Sequence, residues 1–131
     1  MLPQAADQEA PSPHVVLVDD DPSVRQALKR LLRIVGFQVT TYASADEYLS
    51  SPNPERQDCL ILDVQMPGLN GLELQKVLTS MRTPLPIILM TAHPDEDLQT
   101  RAMEMGAVGF LEKPFDDQAL IELIDKALHR P

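Results

Sequence analysis

The chain has 131 residues, 44% of them hydrophobic and 24% charged, which is enough for one domain with a single sizeable core. Its formal net charge of −9 argues against non-specific binding to nucleic acid, which demands clustered Lys and Arg, and no apolar stretch approaches the length of a membrane span. The lone cysteine, Cys59, excludes an internal disulfide, and the start lacks the basic and apolar regions of a signal peptide, so a cytoplasmic location is expected.

Residues 1–13, with Pro3, Pro11 and Pro13 among Gln, Ala and acidic residues, read as a disordered leader; residues 14–131 read as the folded domain. Val15-Val16-Leu17-Val18 is an unbroken apolar run that ends on Asp19, Asp20 and Asp21. Such a run predicts a strand buried on both faces, as in a parallel sheet covered by helices. Val24, Ala27, Leu28, Leu31, Leu32 and Val35 then follow helical spacing, with Asp21 as N-cap, Pro22 at the first helical position and Gly36 as the stop. Phe37 to Thr41 alternates as a second strand, and Ser44 with Glu47 predicts a capping box for a short helix closed by Pro52 and Pro54.

A third strand covers about Cys59 to Leu62 and runs into Asp63. The loop Met66 to Gly71 leads to a helix with Leu74, Val77, Leu78 and Met81 on one face. Pro84 and Pro86 precede a fourth strand, Ile87 to Met90, which runs into Thr91. A helix over about Asp95 to Met105 stops at Gly106, and a short strand, Gly109 to Glu112, runs into Lys113-Pro114. The last helix, about Asp116 to Leu128, is expected to bury Leu120, Leu123, Ile124, Ala127 and Leu128. Strand and helix alternate throughout without long loops, which predicts an α/β fold: a doubly wound five-stranded parallel sheet with helices on both faces.

In such a sheet the carboxyl ends of all strands lie on one edge, where ligand sites form. Asp19, Asp20, Asp63, Thr91 and Lys113 are therefore expected to meet in one cleft. Two carboxylates about 4 Å apart repel by about 4 kcal/mol at an effective dielectric of 20. A raised pKa or a bound cation relieves this, and an all-oxygen, partly open site suits Mg²⁺. Lys113 adds a positive charge and Thr91 a hydroxyl donor. Neutralisation and positioning are what phosphoryl transfer asks of a protein, and an Asp can itself accept the group as an aspartyl phosphate.

The motifs Val18-Asp19-Asp20-Asp21, Leu62-Asp63-Val64-Gln65-Met66-Pro67-Gly68, Met90-Thr91-Ala92 and Glu112-Lys113-Pro114-Phe115 resemble, in this order, the receiver domain of two-component response regulators. The resemblance covers about His14 to His129. Each motif alone is weak; all of them at receiver-like spacing, each after a strand, are highly specific. The resemblance implies a flavodoxin-like strand order 2-1-3-4-5 and a phosphorelay signalling module rather than an enzyme. It also implies Mg²⁺ as cofactor and a sensor histidine kinase or phosphotransfer protein as partner; the net charge and the lack of a long apolar stretch argue against direct binding of nucleic acid or membrane by this chain. Asp63 would be the phosphoacceptor. Asp20, Asp63 and the backbone carbonyl of Gln65 would ligate Mg²⁺ directly, and Asp19 through a water. Lys113 would pair with a phosphoryl oxygen and Thr91 would reorient toward another. Phe110 stands where the family carries an aromatic switch residue, commonly Tyr; it would turn inward as Thr91 moves, remodel the face of helix four, strand five and helix five, and promote a homodimer. Lys113-Pro114 matches a peptide bond that is usually cis in the family.

Plainer readings stand beside these. Asp21 serves first as a helix cap, and Phe110 also reads as core. His93 and Gln65 flank the expected phosphoryl site and either tune water attack or, for His93, simply face solvent. Arg25, Lys29, Arg30 and Arg33 form a basic face that is either solvated or a kinase-docking surface. A metal-dependent aspartyl-phosphate hydrolase would need an Asp two residues after the nucleophile, where Gln65 stands, and a cap for which no residues remain. A phosphate-independent interaction module would be signalled by loss of Asp63, Thr91 or Lys113, and a dinucleotide-binding domain by a Gly-rich fingerprint after the first strand; neither signal is present. Few residues follow the last helix, so the sequence is either a stand-alone receiver or part of a longer regulator; Gly109 to Phe115 is similar to receivers that precede a helix-turn-helix output.

Overall fold

The apolar runs pair into a parallel sheet because each needs cover on both faces, and the helices between the strands supply it from the two sides. A computed structural model describes residues 12–51, 56–82 and 84–129; residues 1–11 of the expected leader, and Pro52 and Pro54, lie outside them. Strands β1 (His14–Val18), β2 (Gln38–Tyr42), β3 (Cys59–Asp63), β4 (Ile87–Thr91) and β5 (Gly109–Glu112) alternate with helices α1 (Pro22–Val35), α2 (Ala45–Ser50), α3 (Gly71–Ser80), α4 (Glu96–Glu104) and α5 (Asp117–Leu128). The strands form one sheet in the order β2-β1-β3-β4-β5, all parallel. This is the flavodoxin-like arrangement.

Alternation along the buried strands divides the core into two layers. Val16, Val18, Leu60, Leu62 and Leu89 pack with Ala45 and Tyr48 of α2, Leu72, Leu74 and Leu78 of α3, and Ala102 of α4. Val15, Leu17, Cys59, Ile61, Ile88 and Met90 pack with Leu28 and Leu32 of α1 and Leu120, Ile124 and Ala127 of α5. Burial pushes the Cys59 thiol up to about 12, as befits a small core residue.

The caps follow local chemistry. The Asp21 carboxylate accepts from the Ser23 N–H at 2.8 Å, and Gly36, at φ 118°, closes α1 by donating its N–H to the Leu32 and Arg33 carbonyls. Ser44 caps α2 as expected, accepting from the Glu47 N–H at 3.0 Å. The Glu47 carboxylate, however, reaches back to the N–H of Ala43 rather than to that of Ser44. A full capping box occurs instead at α3, where Asn70 and Glu73 each accept the other's backbone N–H.

Helical periodicity overstated some faces. Ala27 and Val35 of α1 are exposed, and the helix buries Leu28 and Leu32 instead. Met81 is 62% exposed past the end of α3, whereas Gln75, outside the expected apolar face, is buried and donates to the Ala102 carbonyl at 3.0 Å. On α5, Leu120, Ile124 and Ala127 are buried while Leu123 and Leu128 are only partly covered.

Candidate functional site

The carboxyl edge of the sheet collects the residues that end β1, β3, β4 and β5. Asp19, immediately after β1, is fully buried, and its N–H donates to the Tyr42 carbonyl at 3.1 Å. Asp63 is the last residue of β3 and Thr91 the last of β4. The Lys113 N–H donates to the Thr91 carbonyl at 2.7 Å, so the pairing of β4 with β5 delivers the lysine to the same edge. The Lys113–Pro114 peptide bond is cis.

Carboxylate oxygens of Asp19, Asp20 and Asp63 lie within 4.8 Å of one another. Lys113 Nζ lies between two of them, 2.8 Å from Asp19 Oδ2 and 3.5 Å from Asp63 Oδ1. Asp19 is held at every polar atom. Oδ1 accepts from the Asp21 N–H at 2.9 Å, Oδ2 accepts from Lys113, and its backbone carbonyl accepts from Arg25 Nη1 at 2.8 Å. Asp20, by contrast, is exposed at the mouth of the cleft.

Desolvation, then the charge of Asp19, raises the Asp63 pKa from 3.8 to about 6; Lys113 opposes this and Asp20 adds to it. Partial burial disfavours the Lys113 ammonium, but its hydrogen bond to Asp19 and the charges of Asp19 and Asp63 outweigh that and hold it above the ordinary lysine range. Three carboxylates thus gather beside the Lys113 ammonium, with the Arg25 guanidinium on the Asp19 carbonyl, leaving an excess of negative charge on hard oxygen donors. That donor set fits Mg²⁺, which takes oxygen ligands and retains waters at an open site.

Thr91 is fully buried and its hydroxyl is committed on both sides: it donates to Gln65 Oε1 at 2.6 Å and accepts from the His93 N–H at 3.0 Å. Phe110 lies opposite Leu89 in the β4–β5 register and is half-buried against the core layer of α2, α3 and α4. His93 is exposed. Sequence reading missed the bonds of the Arg25 and Gln65 side chains. The second follows from strand register: Asp63 pairs with Met90, and the Val64 N–H donates to the Met90 carbonyl at 2.8 Å, so the chain after Asp63 runs on beside Thr91.

One backbone approach holds the cleft in shape. Gly71, at the start of α3, donates its N–H to the Val64 carbonyl at 3.1 Å, and a Cβ there would overlap the Asp63 carbonyl oxygen. The glycine lets α3 begin directly against the end of β3.

The carboxyl edge of the 2-1-3-4-5 sheet thus brings together an acidic cluster, a bridging lysine and a buried hydroxyl. The family model for the response regulator receiver domain matches residues 15–125, and the chain belongs to that family. Nodulation protein W of Bradyrhizobium diazoefficiens is 45% identical over 116 residues, covering 88% of this chain and 51% of that protein. The transcriptional regulatory protein FixJ of the same organism is 41% identical over 117 residues, covering 89% of this chain and 57% of that protein. The crystal structure of FixJ-N matches with a TM-score of 0.83 at 35% identity, over 93% of this chain and 98% of that one. The chain spans about half the length of the curated relatives it matches. Phosphorylation and Mg²⁺ binding at an acidic pocket are general properties of the family. Among the described residues no helix is long and apolar enough to cross a membrane.

Proposed function

We propose that Asp63 accepts a phosphoryl group from the phosphohistidine of a sensor histidine kinase or phosphotransfer protein, and that the new charge switches the face of α4, β5 and α5 to control an output. The observation that carries this reading is the meeting of Asp19, Asp20 and Asp63 oxygens within 4.8 Å with Lys113 bridging Asp19 and Asp63. A carboxylate oxygen of Asp63 attacks phosphorus; the P–N bond breaks and its electron pair leaves with the imidazole. Lys113 swings from the carboxylates to a phosphoryl oxygen, and the Thr91 hydroxyl turns to donate to another. Phe110 then turns inward into the space Thr91 vacates, and the remodelled face promotes a homodimer.

Asp20, Asp63 and the Gln65 backbone carbonyl would hold Mg²⁺ directly, with Asp19 acting through a water. The ranking of the acidic pair is supported by their occupancy: both Asp19 oxygens already accept hydrogen bonds, whereas Asp20 is exposed. When bound, the ion neutralises charge on the transferring phosphoryl group. Asp20→Ala is therefore expected to weaken Mg²⁺ binding by about tenfold or more, the effect of losing a direct ligand or its close support, and more than Asp19→Ala does. Titration curves for the Asp20 variant that coincide with those of the parent would refute the ranking.

The switch is tested by amide NMR with Mg²⁺, with and without beryllofluoride. Shifts are expected around Asp20, Asp63 and Thr91 and also across Ala102 to Phe110 and α5. Shifts confined to the loops at the site would sink the switch, because a ligand moves an equilibrium only by binding its two states differently.

A further inference from the structure

We propose that Gln65 is a positioning residue: its side-chain amide engages the Thr91 hydroxyl and so sets how readily the site switches. The inference rests on the reading of Thr91 as the donor that turns to the phosphoryl group. A threonine hydroxyl has a single proton to donate. Here that proton goes to Gln65 Oε1, at 2.6 Å. The His93 N–H, at 3.0 Å, supplies a donor to Thr91 Oγ1, so the amide oxygen is the complementary partner for the hydroxyl proton. The acceptor is Gln65 itself, two residues past Asp63, while its partner ends the neighbouring strand.

Phosphorylation thus does not find a free hydroxyl. It competes for one already engaged, and Thr91 turns only by exchanging the bond to Gln65 for one to a phosphoryl oxygen. The exchange is favourable, because a charged acceptor outbids a neutral amide. Its net gain is nevertheless smaller than it would be without Gln65. The two ends of the bond also differ in surroundings: Thr91 is fully buried, and Gln65 is exposed. Water takes over the amide once it is released, whereas the buried hydroxyl must find its next partner within the site. A side chain at position 65 that cannot accept a hydrogen bond would leave Thr91 poised.

The test compares the parent with Gln65→Met, which keeps chain length and removes the acceptor, and with Gln65→Glu, which restores one. Three-bond couplings to the Thr91 methyl carbon report its χ1 rotamer, and beryllofluoride titration in the presence of Mg²⁺ reports the switching equilibrium. In Gln65→Met without beryllofluoride, Thr91 is expected to average between rotamers, and beryllofluoride is expected to bind about 2- to 10-fold more tightly, the effect of one neutral hydrogen bond. Gln65→Glu is expected to restore a single Thr91 rotamer without beryllofluoride. Parent-like Thr91 couplings and affinity in Gln65→Met would overturn the proposal. So would a changed aspartyl-phosphate lifetime with rotamer and affinity unaltered, since that outcome assigns Gln65 to water attack. Failure of the switch itself reads out separately: in that case Thr91 of the parent protein keeps its rotamer when beryllofluoride binds.

Discussion

Asp63→Asn is expected to abolish phosphorylation: with acetyl phosphate and Mg²⁺ the parent gains a single phosphate by mass spectrometry, and the variant gains none. The neutral amide oxygen is a far weaker nucleophile than a carboxylate, and the other carboxylates are poorly placed to replace it. Asp19 has both oxygens engaged, and Asp20 has no ion pair with Lys113, whose partners are Asp19 and Asp63. Equal labelling of the Asn variant would remove the assignment. The same substitution has a second expected effect, opposite in sign to most changes at buried positions. In the metal-free protein the Asp63 pKa is about 6, against 3.8 for the free side chain, so the folded state holds more protons than the unfolded chain between those values. The stability this group contributes is present below the lower value and is lost as pH rises through the higher one. The loss at neutral pH is at most about 3 kcal/mol. With EDTA present, Asp63→Asn should therefore melt above the parent at pH 8 and converge with it near pH 4 (a pH about equal to the ordinary carboxylate value). A variant that melts lower than the parent at pH 8 would contradict the crowding of charge at this site.

Gly71→Ala is expected to destabilise the domain by about 2–4 kcal/mol, as overpacking against rigid neighbours does. The added methyl would overlap the Asp63 carbonyl oxygen and lie 3.0 Å from the Asp63 carbonyl carbon and 3.1 Å from Val64 Cα, all of them backbone at the end of a central strand. Helix propensity alone predicts the other sign, a gain of about 1 kcal/mol for Gly to Ala in a helix. The steric effect is the larger because neither β3 nor α3 can retreat without breaking the Gly71–Val64 hydrogen bond and the core behind it. A urea midpoint equal to the parent's would show that α3 has room to shift. Because the clash is with Asp63 itself, Mg²⁺ affinity should fall together with stability.

Much of this molecule is decided within short stretches of chain. The unbroken runs Val15–Val18, Leu60–Leu62 and Ile87–Met90 have no polar face to offer water, so they must become central strands, and the parallel geometry that follows brings Asp19, Asp63, Thr91 and Lys113 to one edge. Asp21, Ser44 and Gly36 act on neighbours only a few residues away, and their roles as caps were legible for that reason. Tertiary structure alone decided which partners those edge residues take. Lys113 sits closer to Asp19, 94 residues away in sequence, than to Asp63. Thr91 gives its proton to Gln65, 26 residues earlier, and Gln75 is buried while Met81 is exposed. Periodicity and motif order specify which residues reach an edge or a face. The choice among several acceptors within a few ångströms depends on strand register and on the competition between desolvation and hydrogen bonding, which exist only once distant segments have packed.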